Sequence, residues 1–188
     1  LLWSYLKYPV KFIENEIREV ELHGEAFFEV TESKDLFVVK TNDVFVEVYG
    51  TQFNFKNYIE DDLSEVVLVE GSVGLLAEKE TSAFIINPGD KGTFTKDEKS
   101  FTSERINTNL YTSWINGEII MRNEKFDQIV KKLERIFNVS IINNKEVDDR
   151  LFNANINPEI ETIDEVLSYF KEIYNIKYEK YQNKIIIK

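Results

Sequence analysis

The amino-acid sequence predicts a mixed fold, with an all-β domain over residues 1–115 and a small α+β domain over residues 116–188. Apolar residues alternate with polar ones up to about Ser113, which is the pattern of half-buried strands. After Gly117 they recur at spacings of three and four, as in amphipathic helices. Two such helical stretches align with each other, which indicates a duplicated βαβ-type unit.

The strands of the first domain are separated by segments that favour turns. Residues 41–43, 60–62, 70–72 and 87–90 are rich in Gly, Pro, Asn and Asp, which adopt or stabilise turn conformations. Since no helical pattern occurs between these strands, we expect a sandwich or a short solenoid. The apolar positions predicted to alternate are Val20, Leu22, Ala26, Phe28, Val30, Val44, Val46, Val48, Phe53, Phe55, Val67, Val69, Val73 and Leu75.

Two helices are predicted in the second domain. The first is followed by an apolar strand over Val139–Ile142. The second begins at a capping-box pattern, Thr162 with Glu165, and precedes a hairpin of Ile176–Tyr181 and Lys184–Ile187. The apolar helical positions are Phe126, Ile129, Val130, Leu133, Ile136 and Phe137 in the first helix, and Val166, Leu167, Phe170, Ile173 and Tyr174 in the second.

The two helical stretches align without a gap at an offset of 37 positions, so that Ile136 matches Ile173 and Asn138 matches Asn175. Asn tolerates the left-handed conformation that ends many helices, so both Asn residues are expected to be C-terminal caps. An internal duplication is the economical interpretation. The alternative is that any two amphipathic helices followed by strands look alike.

Composition narrows the possible functions. Apolar residues make up 43% of the 188 residues, enough for a core, and the net charge of −11 argues against nucleic acid and anionic membrane surfaces as partners. The absence of cysteine excludes disulfides and thiol catalysis. The sequence has neither an initiator Met nor an apolar run long enough to span a membrane. We therefore expect a piece of a longer protein.

The sequence predicts no catalytic, cofactor or metal site. His23 is the single histidine and is expected to be a surface or turn residue at a strand end. Carboxylate pairs such as Glu25 with Glu29 are expected among so many acids, and Asp61 with Asp62 lack the regular spacing of calcium ligands. The glycine-rich segment 71–74 lacks the Lys of a phosphate-binding loop and precedes no helix. An enzyme is therefore the weaker hypothesis.

An ordered set of motifs resembles the extracytoplasmic part of FecR-family anti-sigma factors of the Bacteroidetes type. The resemblance covers the chain from about Val20 to its C-terminus, and the order of the motifs makes it specific. The motifs are Gly24–Val30, Phe37–Val39, Val46–Phe55, Val67–Val73, Asn87–Asp90 and Trp114–Ile120.

The resemblance implies a β-rich domain followed by a domain similar to the short N-terminal domain of secretins and TonB-dependent transporters. It also implies a periplasmic signal relay of a protein that crosses the inner membrane once. Its partner would be the periplasmic signalling domain of an outer-membrane TonB-dependent transporter. An extracytoplasmic-function sigma factor would be bound only by a cytoplasmic segment outside this chain.

The candidate partner-binding residues are Lys184, Ile185, Ile186 and Ile187, which are expected to form a terminal strand with an exposed edge. Such an edge accepts a partner strand through main-chain hydrogen bonds. The alternative, which does not exclude the first, is that these Ile residues complete the core. Two rival functions remain at this stage: a periplasmic carbohydrate-binding or hydrolytic β-domain, and a purely structural envelope protein.

Overall fold

The computed structural model describes residues 4–77, 82–143 and 150–188. Its internal contacts divide the chain into two compact units, which meet in sequence between Thr112 and Ser113. The domain boundary expected after residue 115 falls inside a 3₁₀ turn over Ser113–Asn116. Each unit has a hydrophobic core of its own. The mostly β architecture with helices towards the C-terminus confirms the mixed, β-rich fold class.

The first unit is built almost entirely of strands. Within its described residues no helix occurs between Val20 and Phe101, as the sequence predicts. Its elements are β1 (Tyr5–Lys7), β2 (Arg18–Val30), β3 (Phe37–Lys40), β4 (Val44–Val48), β5 (Thr51–Asn57), β6 (Leu63–Glu70), β7 (Val73–Ala77), β8 (Phe84–Ile86), β9 (Asp90–Thr95), β10 (Ser100–Arg105) and the short helix α1 (Asn109–Thr112).

The long strand β2 belongs to both halves of the sheet. Its first residues pair in parallel with β3, and its residues from Gly24 onward pair antiparallel with β5. Gly24 lies at this change with a φ of +104°, and a Cβ there would lie 2.3 Å from the Ser4 hydroxyl oxygen. Glycine is required because the backbone conformation and the close approach both exclude a side chain.

The sheet has the strand order β10-β9-β6-β5-β2-β3-β4-β7-β8, with β1 added to β2. Its two ends come together where Phe84 of β8 stacks on Phe101 of β10, with ring centroids 5.5 Å apart. The sheet is therefore nearly closed. The core inside contains the inward residues of the alternating strands, among them Val39, Val46, Phe53, Phe55 and Leu68, which are fully buried.

The second unit contains two β-α-β segments followed by a last strand. Strands β11 and β13 pair antiparallel in a two-stranded sheet, and a three-stranded sheet has the order β12-β15-β14. Its elements are β11 (Ile119–Lys125), α2 (Phe126–Phe137), β12 (Ser140–Asn143), β13 (Leu151–Ile156), α3 (Ile163–Tyr174), β14 (Tyr178–Tyr181) and β15 (Lys184–Ile187).

The helix ends follow the sequence signals. Thr162 and Glu165 form the predicted capping box, and Asn138 and Asn175 end α2 and α3 in the left-handed conformation with φ values of 52° and 56°. One apolar position of the helices is wrong, since Ile173 is 71% exposed and does not join the core. In β6 the core residues are Val66 and Leu68 in place of the predicted Val67 and Val69. The strand over Leu151–Ile156 was not predicted, because its pattern Leu-Phe-Asn-Ala-Asn-Ile contains two residues that are unfavourable in strands.

Candidate partner-binding edge of the C-terminal unit

The candidate strand Lys184–Ile187 lies in the middle of its sheet. It pairs in parallel with β12 and antiparallel with β14. The expectation of an exposed edge at these residues is therefore wrong, because neighbouring strands occupy both of its hydrogen-bonding sides. The sequence could not reveal this, since the position of a last strand within a sheet depends on pairing with a segment distant in the chain.

The side chains of this strand divide between the core and the opposite face of the sheet. Ile185 and Ile187 are fully buried, so these two residues complete the core. Ile186 is half-buried on the other face, where Ile142 of β12 is its cross-strand neighbour and is 37% exposed. An apolar pair thus lies on the face of the sheet away from the core.

The outer edge of β12 is blocked by a side chain of the same unit. The main-chain N–H of Ser140 donates to the carbonyl of Asn183, towards β15, so the N–H of Ile141 points the other way. It donates to the Glu134 carboxylate of α2 at 2.7 Å. A partner strand would have to displace this carboxylate before it could pair there.

An edge of the two-stranded sheet is blocked in a similar way. The Tyr174 hydroxyl of α3 accepts a hydrogen bond from the Asn153 N–H at 3.0 Å and donates one to the Asn153 carbonyl at 2.9 Å. Both main-chain groups of Asn153 are therefore satisfied by one side chain.

The outer edge of β14 is open among the residues that the structure describes. The N–H of Lys188 donates to the carbonyl of Lys177 at 2.8 Å. This bond identifies which residues of β14 direct their main-chain groups towards β15 and which direct them away. Residues 177, 179 and 181 consequently face β15 with their main-chain groups, whereas those of Tyr178 and Lys180 point outward. We call these outward groups of Tyr178 and Lys180 the β14 edge.

Ion pairs fix the side chains around the β14 edge. The Lys180 ammonium donates to both carboxylate oxygens of Asp164 at the start of α3, at 2.7 and 2.6 Å. On the opposite face Glu179 accepts hydrogen bonds from Lys188 and from the Tyr181 hydroxyl, and these bonds hold the pKa of Glu179 below its ordinary value. The side chains are therefore held to the two faces of the sheet and leave the edge itself accessible.

A second polar cluster lies on the first unit, across strands β5, β6 and β9. The Glu65 carboxylate contacts the ammonium groups of Lys56 at 3.1 Å and Lys91 at 3.2 Å. Lys91 also contacts Glu104 at 3.0 Å and lies over the ring of Tyr111. Each partner in the Lys56–Glu65–Lys91 cluster is less than a quarter exposed, so the cluster is mostly screened from water.

The charges of this cluster stabilise one another. Burial opposes ionisation of Glu65, but the attraction of Lys56 and Lys91 outweighs it and holds the pKa of this carboxyl below its ordinary value. Burial likewise opposes the charged form of Lys56, yet the attraction of Glu65 and Glu25 raises the pKa of its ammonium. The cluster is a cross-strand ladder of opposite charges.

The remaining candidate residues have structural surroundings. His23 lies within β2, not at a strand end as expected, and stacks on Tyr5 with its Nε2 atom 3.3 Å from Glu21. Glu25 accepts a hydrogen bond from the Asn54 amide at 2.8 Å. No group of three His, Cys, Asp or Glu side chains suited to a metal ion occurs among the described residues. Nor does this part of the chain contain a helix long and apolar enough to cross a membrane.

Comparison with known families gives two matches, in chain order. The family described as FecR protein matches residues 6–74, and the family described as FecR, C-terminal matches residues 118–187. Together the matches cover most of both compact units. A comparison with curated protein sequences finds no match.

Solved structures give the same result. Two crystal structures of a candidate anti-sigma factor from Parabacteroides distasonis ATCC 8503 are similar to this chain at 25% identity. The first has a TM-score of 0.83 and covers 97% of this chain and 85% of the other, and the second has a TM-score of 0.82 and covers 97% and 84%.

Proposed function

Since this chain belongs to the FecR family of anti-sigma factors, we propose that it is the periplasmic signal-relay part of a regulator anchored in the inner membrane. In this role it binds the periplasmic signalling domain of an outer-membrane TonB-dependent transporter. It passes the signal to an extracytoplasmic-function sigma factor through a cytoplasmic segment outside residues 1–188. Family membership also confirms the resemblance inferred from the ordered motifs.

The observation that carries the proposal is the order and extent of the two family matches, at residues 6–74 and 118–187. Membership in a regulatory family favours a relay over the glycan-binding or hydrolytic alternative. The charged cluster of the first unit also fits a relay better than an enzyme. The Lys56–Glu65–Lys91 ladder is an arrangement of opposite charges across strands, which stabilises a sheet.

We assign the docking position to the β14 edge, in place of Lys184–Ile187. Strand addition needs main-chain N–H and C=O groups that point away from the sheet, and Tyr178 and Lys180 supply them. At the edges of β12 and β13, the side chains of Glu134 and Tyr174 already occupy main-chain groups of Ile141 and Asn153. A partner strand added to β14 would also extend the sheet face that carries Ile186 and Tyr181. Apolar residues of the partner strand could then pack beside these two side chains.

The function is tested by isothermal calorimetry, in which the chain is titrated with the periplasmic signalling domains of the TonB-dependent transporters of its own organism. Saturable binding of one domain per chain is expected. A panel of glycans serves as the comparison, and no heat is expected from it. If glycans bind and the signalling domain does not, the relay proposal fails.

The docking edge is tested by Lys180→Pro, which removes the outward N–H and leaves the β15 ladder intact. We expect a loss of affinity of about tenfold, from one lost hydrogen bond and the obstructed approach of the strand. Lys180→Ala is the matched control, because it loses the ion pair with Asp164 but keeps the N–H. If the two variants bind with equal affinity while the wild-type chain still binds, the β14 edge is not the docking position. The proposal that the chain acts as a signal relay would then still stand.

A further inference from the structure

The duplication in the C-terminal unit extends from the sequence to its hydrogen bonds. Strands β12 and β14 are the corresponding strands of the two copies, and they flank β15 on opposite sides. In the first copy the Asp127 carboxylate, at the start of α2, accepts a hydrogen bond from the Asn143 amide at 2.9 Å. In the second copy Asp164 accepts from Lys180, and both residues lie 37 positions further along the chain. Aligned residues therefore occupy equivalent places in the two copies.

The main-chain groups of β12 and β14 follow the same correspondence. The N–H of Ser140 and the carbonyl of its counterpart Lys177 both form hydrogen bonds on the side of β15. The next residues, Ile141 and Tyr178, therefore direct their main-chain groups away from β15. The outward N–H of Tyr178 is thus the counterpart of the outward N–H of Ile141.

The two copies differ at the residue that closes the edge of β12. In α2 the Glu134 carboxylate accepts the hydrogen bond of the Ile141 N–H at 2.7 Å. The aligned residue of α3 is Lys171, whose ammonium group carries only donors and cannot accept such a bond. Within the described residues, neither the Tyr178 N–H nor the Lys171 ammonium has a partner. A cation thus stands in α3 at the position from which a carboxylate closes the other edge.

We propose that Lys171 leaves the β14 edge open and that the partner strand brings a carboxylate to it. The inference rests on the docking position proposed above and names the chemistry of the partner: an Asp or Glu side chain that reaches both the Lys171 ammonium and the Tyr178 N–H. The partner provides from outside the group that Glu134 provides within the first copy. Hydrogen bonds between an ammonium and a carboxylate are stronger than neutral ones, so a strand without this carboxylate binds less well.

The role of position 171 is tested first in the free chain, by amide hydrogen exchange followed by NMR. Lys171→Glu should give the Tyr178 N–H the kind of acceptor that Ile141 has, and should slow its exchange about tenfold. The reciprocal change, Glu134→Lys, should speed exchange at Ile141 by a similar factor. If Lys171 serves only to complement the dipole of α3, Lys171→Glu would leave exchange at Tyr178 unchanged, and the inference would be overturned.

The chemistry of the partner is tested by calorimetry with a signalling domain that binds the wild-type chain. Lys171→Glu should lower the affinity about tenfold or more, because the new carboxylate closes the edge and repels that of the partner. Lys171→Met should lower it about fivefold and weaken its dependence on salt, because the ion pair is lost. Lys11→Glu makes the same charge change at an exposed residue of the first unit, and this matched control should bind like the wild type.

Two results would exclude a carboxylate on the partner strand. One is a Lys171→Met chain that binds as tightly as the wild type, and the other is an equal loss of affinity in Lys171→Glu and Lys11→Glu. If no signalling domain binds the wild-type chain, the proposed function fails together with this partner. The exchange rate at Tyr178 still decides in that case whether position 171 controls the edge.

Discussion

Glu65 neutralises two lysines that the sheet holds close together. Its carboxylate lies between the ammonium groups of Lys56 and Lys91, and all three side chains are mostly shielded from water. Lys91 has a second carboxylate, Glu104, which is itself well exposed. Glu65 and Glu104 therefore share Lys91 as a partner but differ in burial. Mutating each of them in turn shows how burial changes the contribution of an ion pair to stability.

The change Glu65→Gln should lower the free energy of unfolding at neutral pH by about 2 kcal/mol, because it leaves two half-buried ammonium groups without their common carboxylate. The control Glu104→Gln should cost less than about 1 kcal/mol, since exposed ion pairs contribute little. Chemical denaturation of both variants measures the difference. Equal costs would show that burial of the ladder has no energetic consequence.

The same carboxylate gives a prediction for acid pH. Because the pKa of Glu65 is lower in the folded protein than in the unfolded chain, its contribution is complete above the ordinary Glu value of about 4.3. It is lost as the pH falls through the lower, folded-state pKa. The stability difference between the wild type and Glu65→Gln should therefore shrink on acidification, as measured by denaturation at neutral pH and in acid. A constant difference would contradict this assignment.

At the scale of elements, the C-terminal unit controls which of its edges are available. Glu134 of α2 reaches the N–H of Ile141 on β12, and Tyr174 of α3 binds both main-chain groups of Asn153 on β13. In both cases the helix that packs on a sheet supplies the side chain that closes an edge. This device discourages strand pairing where it would be unproductive.

Removing one of these caps should open an edge. Glu134→Ala should cost about 1 kcal/mol of stability, because the Ile141 N–H loses its acceptor, and should promote self-association through β12. Glu134→Gln keeps an oxygen that can accept the bond and serves as the control. Denaturation and sedimentation velocity check the two effects. A monomeric Glu134→Ala chain of unchanged stability would contradict the blocking role.

The sequence predicts local structure here far better than it predicts edges. The apolar spacings locate both helices, and Thr162, Asn138 and Asn175 mark helix ends because capping is decided by a few neighbouring residues. The position of β15 between β12 and β14 depends on distant pairing, which periodicity does not encode. For the same reason the exposed edge expected at Lys184–Ile187 lies instead at β14, in the same three-stranded sheet.

Exposure within a helix also depends on tertiary packing. Ile173 occupies a position that continues the apolar pattern of α3, yet it is mostly exposed because none of the described elements of its unit covers that side of the helix. Ile136, its counterpart in α2, packs against the core. The apolar patterns of α2 and α3 are thus similar in sequence, but different elements pack around the two helices.

At the scale of the whole molecule, two cores imply two folding units. One core lies within the nearly closed sheet, and the other lies between the helices and the two small sheets of the C-terminal unit. The change from one unit to the next occurs between Thr112 and Ser113, and we propose this point as the domain boundary. Each unit contains the residues that complete its own core.

We expect residues 1–112 and 113–188 to fold separately when each is produced alone. The whole chain should then show two thermal transitions by calorimetry, each matching that of one fragment. Amide hydrogen–nitrogen spectra of the fragments provide a second measurement, and their peaks should overlay on those of the intact chain. A single transition together with unfolded fragments would contradict the boundary.

The central position of β15 also decides the order in which the C-terminal unit assembles. Strand β12 is made early, but its partner in the sheet is the last strand of the unit, with β13, α3 and β14 in between. During synthesis β12 therefore stays unpaired until residues 184–187 have left the ribosome. The sheet that carries the proposed docking edge can form only after residues 184–187 have been made, so chains truncated before these residues would not offer this edge to a partner.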